Sequence, residues 1–410
     1  MTMESGNISA VRKTPNSNGQ YGVGVTDGGD FTMTGGKIEA GWFAVAGNGN
    51  YKTQNSIINI TDGELISTAD YAVYLPQSGT TTISGGKVYG AAGGVCIQRG
   101  TLNVEGTALI TSKGTGSTGN WGDGTGGLDC AAINVSGAYG IATVNIKGGT
   151  LIAEAKSLIT EGTTYTPVIN VTGGTFSDPS VLKYMATNAT VDIKLLSNIN
   201  IAKTELATGY ILNAANATAN LNLNGHDIIN SSETADATPF TQIFTVQNGT
   251  LNISGNGNVK CDASATAKDD GYRMVIEARG HGTVNIHGGS YYNTQKLNTQ
   301  IDLIYARENG KINIYGGTFE SGKYGTPNND TDGRYWVLNL KNTDKNTASI
   351  QVSGGTFINF NPANPNMDDN ESYLVTGYEV TRDGSVYTAA HKVNDGRKEY
   401  IVGPTSQENR

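Results

Sequence analysis

The feature that most restricts this chain is an eight-residue frame that recurs along nearly all of it: apolar, polar, apolar, polar, Gly, Gly, polar, apolar. Close copies are "FTMTGGKI" from Phe31, "TTISGGKV" from Thr81, "VNIKGGTL" from Val144, "INVTGGTF" from Ile169, "VNIHGGSY" from Val284, "INIYGGTF" from Ile312 and "IQVSGGTF" from Ile350. Looser copies are "MTMESGNI", "INITDGEL", "LNVEGTAL", "LNLNGHDI" and "LNISGNGNV", from Met1, Ile58, Leu102, Leu221 and Leu251. Alternation with period two is a strand signal. Repeats at short spacing point to a solenoid, because each unit buries its apolar face only against its neighbours.

The steps Asp62 to Gly85, Gly85 to Gly106 and Gly148 to Gly173 are all in the twenties. Upstream apolar runs, "AVYL" at 72–75, "VCI" at 95–97, "IFTV" at 243–246 and "WVLNL" at 336–340, supply a strand before the glycine strand. The stretch after the glycines supplies another. Two or three short strands per turn, with glycine corners that tolerate positive φ, describe an all-β parallel solenoid of β-helix type. Stacked at about 4.8 Å per turn, a dozen or more turns give a rod on the order of 60 Å long.

The frame predicts an inward column at Ile60, Ile83, Val104, Ile146, Val171, Leu223, Ile253, Ile286, Ile314 and Val352. Burying each such side chain contributes about 1.5–3 kcal/mol. A polar column accompanies it: Asn59, Asn103, Asn145, Asn170, Asn222, Asn252, Asn285 and Asn313, placed for amide-to-amide bonding along the stack. The position before the glycines (Thr61, Ser84, Glu105, Lys147, Thr172, Ser254, His287, Tyr315, Ser353) faces solvent, so the core leaves it free to vary.

Composition narrows the function. A net charge of −8 argues against nucleic acid, whose phosphates require a basic face. Cys96, Cys130 and Cys261 lie far apart without metal spacing, which reads as buried reduced thiols. No run approaches the roughly 20 apolar residues of a membrane span. The start, "MTMESGNISA", shows no secretion signal and opens in mid-frame. A missing upstream module or a stacking partner is expected there, with export by another route, as part of a longer chain or within a virus particle.

Four regions are expected: a first β-solenoid segment over 1–178, a connector over 179–210, a second segment over 211–358, and a C-terminal cap and tail over 359–410. The tail carries "TRDGSVYT" (381–388), a hairpin signal with Asp-Gly at its turn, suited to shielding the last open strand edge.

With the "GGTF" repeats, the "LNLNGHDI" segment and the ending "GGTFINFNPANP…YLVTGYEVTRDGSVYTA", the chain resembles right-handed parallel β-helix proteins of gut bacteria and their tailed phages. These are adhesin-like surface proteins and phage fibre, spike or decoration proteins. The resemblance implies right-handedness, a location on a virion surface or a bacterial cell surface, and a homotrimer as the assembly to test. It also brings in polysaccharide lyases and hydrolases, which need two carboxylates, or calcium with a basic residue, on adjacent turns.

The best patch for such chemistry is "KDDGYRMVIEARGHGTVNIHGG" (268–289), with Asp269, Asp270, Arg273, Glu277, Arg279, His281 and His287. The next turn adds Asp302, Arg307 and Glu308. Arg279 and Arg307 hold equivalent places and should be neighbours, and His281 and His287 could share a face. The competing reading is a solvated ridge of mixed charge. No cofactor is expected; calcium is the one ion to consider, at "NNDTDGRYW" (328–336), through Asp330 and Asp332. An Asx-rich turn explains that stretch better. Trp42, Trp121, Tyr291, Tyr292, Tyr324 and Tyr335 sit in or beside variable loops and are the expected ligand-contact residues, since flat rings stack on sugars or protein with little entropy loss. The favoured function is a non-catalytic rod that contacts a cell-surface glycan or protein, as a phage appendage. A bacterial adhesin fragment and a polysaccharide depolymerase are the alternatives.

Overall fold

The computed structural model describes residues 1–11, 20–48, 53–118, 125–161, 164–201, 209–230, 240–261, 272–293, 301–321, 335–365 and 371–392. Strand dominates them, and the helical elements are short 3-10 turns such as Pro179–Tyr184. The strands form three sheets, of twenty, six and eight strands among the described residues. Pairing joins strands from successive repeats in parallel, as in Gly100–Val104 with Ala142–Ile146 and Lys311–Ile314 with Ser349–Val352. The chain is thus all-β, with long parallel sheets.

Register follows the repeat frame. In the first half Ile60, Ile83, Val104, Ile146 and Val171 are consecutive partners, each at most 1% exposed. Glycine is needed where the frame turns: Gly86 has φ +74°, and a Cβ there would lie 2.7 Å from the Gly63 carbonyl oxygen.

Two details depart from the expected column. In the second half the partners of Ile253, Ile286, Ile314 and Val352 lead back to Leu221, with Leu223 buried two residues further on. The stretch "LNLNG" alternates with period two, so a shift of two residues leaves every side chain on its face and alternation cannot choose between them. The two halves also do not share one column. Leu221 pairs with Ile193, and Ile193 continues through Phe176, Leu151, Ile110 and Val88 to Leu65. These first-half residues are the apolar positions after the glycines. Val171, from the column before the glycines, instead bridges Met185. The frame therefore moves over by one strand row at 179–194.

That shift occurs without a break in pairing. Thr190–Lys194 pairs with Thr175–Phe176 on one side and with Tyr210–Asn222 on the other. Before it, the turn Pro179–Tyr184 is capped by Asp178, whose Oδ1 accepts from Ser180 N at 2.9 Å and whose Oδ2 accepts from Ser157 N.

The polar column forms as amide ladders. Asn145 Nδ2 donates to Asn103 Oδ1 at 3.0 Å, and Asn170 to Asn145 at 3.0 Å. In the second half Asn313, Asn285 and Asn252 each donate to the preceding amide at 2.8 Å, and Asn220 donates to Asp192 at 3.0 Å. Asn222, expected in this ladder, lies outside it because of the two-residue shift; its Oδ1 accepts from Asn224 N.

At the C-terminal end, Tyr378–Asp383 and Val386–His391 form an antiparallel hairpin, as the Asp-Gly signal predicts. Val386–His391 pairs antiparallel with Thr356–Ile358 and covers that sheet edge.

Candidate functional site

The charged patch assembles around Glu277. Ala278 pairs with Ala306, so Arg279 and Arg307 follow them in register. Both point at Glu277: Arg307 Nε lies 2.6 Å from Oε1 and Arg279 Nε 4.0 Å from Oε2. Thr245, one row earlier, donates to Glu277 Oε2 at 3.4 Å. Arg307 Nη1 also reaches Glu308 Oε1 at 2.5 Å, and Glu308 Oε2 accepts from Gly280 N. Glu308 N donates to Asp344 Oδ2 at 2.6 Å. That amide, with the Thr343 hydroxyl, holds the Asp344 carboxyl below the usual carboxylate range.

Glu277 is only 2% exposed. A glycoside-cleaving pair needs two carboxylates lining a space that admits a sugar. Here one carboxylate is closed in by arginines, and Asp302, also buried, accepts from Asn339 Nδ2 at 2.9 Å. The competing reading of a solvated ridge of mixed charge fits the exposed His281, His287 and Glu308 but not Glu277, which is inside and paired with Arg307. His281 and His287 are both exposed and lie six residues apart on the outward parity they share with Thr283 and Asn285, so they occupy one face of the strand. The predicted catalytic residues Asp269 and Asp270, and the Arg273 side chain, lie outside the described residues.

Tyr305 pairs with Glu277 in the next row, and its phenol is pushed up to about 12, first by burial and then by the charge of Asp302. An unfolded tyrosine titrates near 10. The fold favours the protonated form, so this stabilisation is full below about pH 10 and is lost as pH rises through about 12. Urea midpoints measured from pH 9 to 11.5 should therefore fall, and fall less steeply in Tyr305→Phe.

The aromatic candidates divide by location. Trp42 is half-buried and meets exposed Tyr21 edge-on, with ring centroids 6.0 Å apart. Beneath them Phe43 is fully buried between Tyr21 and Tyr74. Tyr291 is not a contact residue. It is 0% exposed, stacks on Phe319 with centroids 5.0 Å apart, and donates to Gly288 O at 2.9 Å. Its place after the double glycine is the inward one in the frame, and that pattern outweighs the proximity to a loop. Burial drives its phenol far up. Tyr292 faces the other way and is half-buried. Trp121, Tyr324, the Tyr335 side chain, Asp330 and Asp332 lie outside the described residues. Among the described residues no group of three or more His, Cys, Asp or Glu is placed to hold a metal ion. The three cysteines are buried thiols outside any disulfide, as expected.

Outside this cluster, the register turns the outward side chains into straight columns. Thr190, Thr218, Thr250 and Thr283 form one, next to the ladder Asp192, Asn220, Asn252, Asn285, Asn313. Thr80, Thr101 and Thr143 form another, next to Thr82, Asn103 and Asn145. Within the column of variable positions, His287 and Tyr315 stack with centroids 4.7 Å apart and planes 8° from parallel. Sequence reasoning treated these two as unconstrained guests. The signal that finds them is that successive copies of the frame, "VNIHGG" and "INIYGG", both carry a ring at the same slot. The chain matches no family model, no curated protein and no solved structure. No helix among the described residues is long and apolar enough to cross a membrane.

Proposed function

We propose that the three sheets are the faces of a right-handed parallel β-helix, and that the chain is a non-catalytic rod serving as a tailed-phage appendage that contacts a host surface through glycan. The observation that carries the contact role is the pair of outward ribbons, in which threonine hydroxyls and asparagine amides repeat at the strand spacing on a hydrogen-bonded scaffold. Such a face offers many preplaced donors and acceptors to a polyhydroxylated ligand at little ordering cost. The ladders use one N–H and the carbonyl of each amide, which leaves a second N–H for a ligand. The closed environment of Glu277 gives the depolymerase alternative no support from that cluster.

The test is to incubate the purified chain with capsular and mucin polysaccharides, reading retention on a glycan array and release of new reducing ends. Retention without new reducing ends is expected. Release of reducing ends would replace the rod reading with an enzyme, and absence of retention on every glycan would remove the contact role.

A further inference from the structure

We propose that the free face of Tyr315 is a subsite for one hexopyranose residue of the bound glycan, with Gln351 as its hydrogen-bonding partner. This rests on the glycan-contact reading above and locates it.

His287, Tyr315 and Ser353 occupy one outward column, since Tyr315 N donates to Ile286 O and Ser353 N to Ile314 O, each at 2.8 Å. His287 covers one face of the Tyr315 ring. Along the column on the other side stands Ser353, too short to cover a ring, its hydroxyl turned back to Ile314 O at 3.3 Å. Tyr315 consequently remains 50% exposed. The space over Ser353 is one strand spacing deep, about 4.8 Å, which is the separation at which a second ring stacks.

The neighbouring column decides which end of the two-ring stack is the site. Beside Tyr315, Asn313 donates to Asn285 and is part of the ladder. Gln351, the next member in register, is exposed and makes no side-chain hydrogen bond among the described residues. At the His287 end the corresponding amide, Asn252, is bonded on both sides. A pyranose laid by its C–H face on Tyr315 would sit above Ser353, with its hydroxyls toward the free Gln351 amide. Ser349 and Gln351 also line a cleft of about 370 Å³, whose opposite wall is 371–376 and which Lys345 borders. The cleft gives the next sugar of the chain a place to go.

The test uses the full chain and whichever capsular or mucin glycans it retains on the array. Tyr315→Ala removes the platform, and Ser353→Tyr fills the space with a third ring; each should weaken retention roughly ten-fold. Tyr315→Phe keeps the ring and should bind as the parent does. Ser254→Tyr covers the His287 face instead and should also leave binding unchanged, which controls for adding a tyrosine to this column. Circular dichroism melts check that each variant is folded. Equal binding by the parent, Tyr315→Ala and Ser353→Tyr overturns the subsite and leaves the glycan-binding rod standing. Equal loss in Ser254→Tyr also overturns it. A parent chain that retains no glycan overturns both.

Discussion

Glu277→Ala should lower the free energy of unfolding by about 2–4 kcal/mol, the largest loss expected from any charged residue here. Removing one partner of a buried ion pair leaves the other charge desolvated and uncompensated. Arg307 and Arg279 keep side-chain exposures of 24% and 29%, so water recovers part of the penalty and the loss falls below that of a fully enclosed pair. In a stacked repeat architecture the effect should be local. Hydrogen exchange should accelerate in Tyr272–Ile286 and Ile301–Ala306, while Gly100–Val104 stays protected. Glu277→Gln, which keeps an acceptor, should lose less. The double replacement Glu277→Met with Arg307→Met should recover much of the stability, because it removes the desolvation cost along with the attraction. Unchanged exchange in Glu277→Ala would mean that the cluster lies in water.

Phe319→Ala should cost about 3–5 kcal/mol, the range for truncating a fully buried aromatic ring. Phe319 is 0% exposed and stacks between Tyr291 and Phe357, with centroids 5.0 Å away on each side. Its removal leaves a cavity one strand row thick, and the hydrogen-bonded rows on either side are too rigid to collapse into it. Phe319→Leu retains most of the volume and should lose about 1.5 kcal/mol or less, apart from the stacking contribution. Urea titration of Thr318–Ser321 and its neighbours by hydrogen exchange reads both variants. A loss in Phe319→Ala of under about 1 kcal/mol would place the aromatic column outside the tightly packed interior.

The contrast between Tyr291 and Tyr315 shows how far the sequence reaches. Both follow from the same frame. Tyr291 falls on an inward position and Tyr315 on an outward one, and alternation assigns each correctly once the frame is applied residue by residue. The expectation that Tyr291 contacts ligand came from its closeness to a loop, a weaker physical argument than strand parity. Glu277 is different. Nothing local predicts that it is buried, because its cover depends on arginines from its own strand and from the next row, and on side chains brought in by register.

The amino-acid order by itself determined the strands, their parallel in-register stacking, which strand positions face inward, most members of the asparagine ladders and the closing hairpin. The strands and their inward positions follow from a period-two alternation bounded by glycine, the stacking and ladders from its recurrence, and the hairpin from its Asp-Gly turn. Only the tertiary structure decided that Leu221 and Asn220, two residues before the expected pair, join the second-half columns, and that the frame crosses to the neighbouring strand row at 179–194. Alternation is unchanged by a slip of two residues or by a move from one row to the next. Those choices are made by the pairing of Ile193 with Phe176 and Leu221 across the stack.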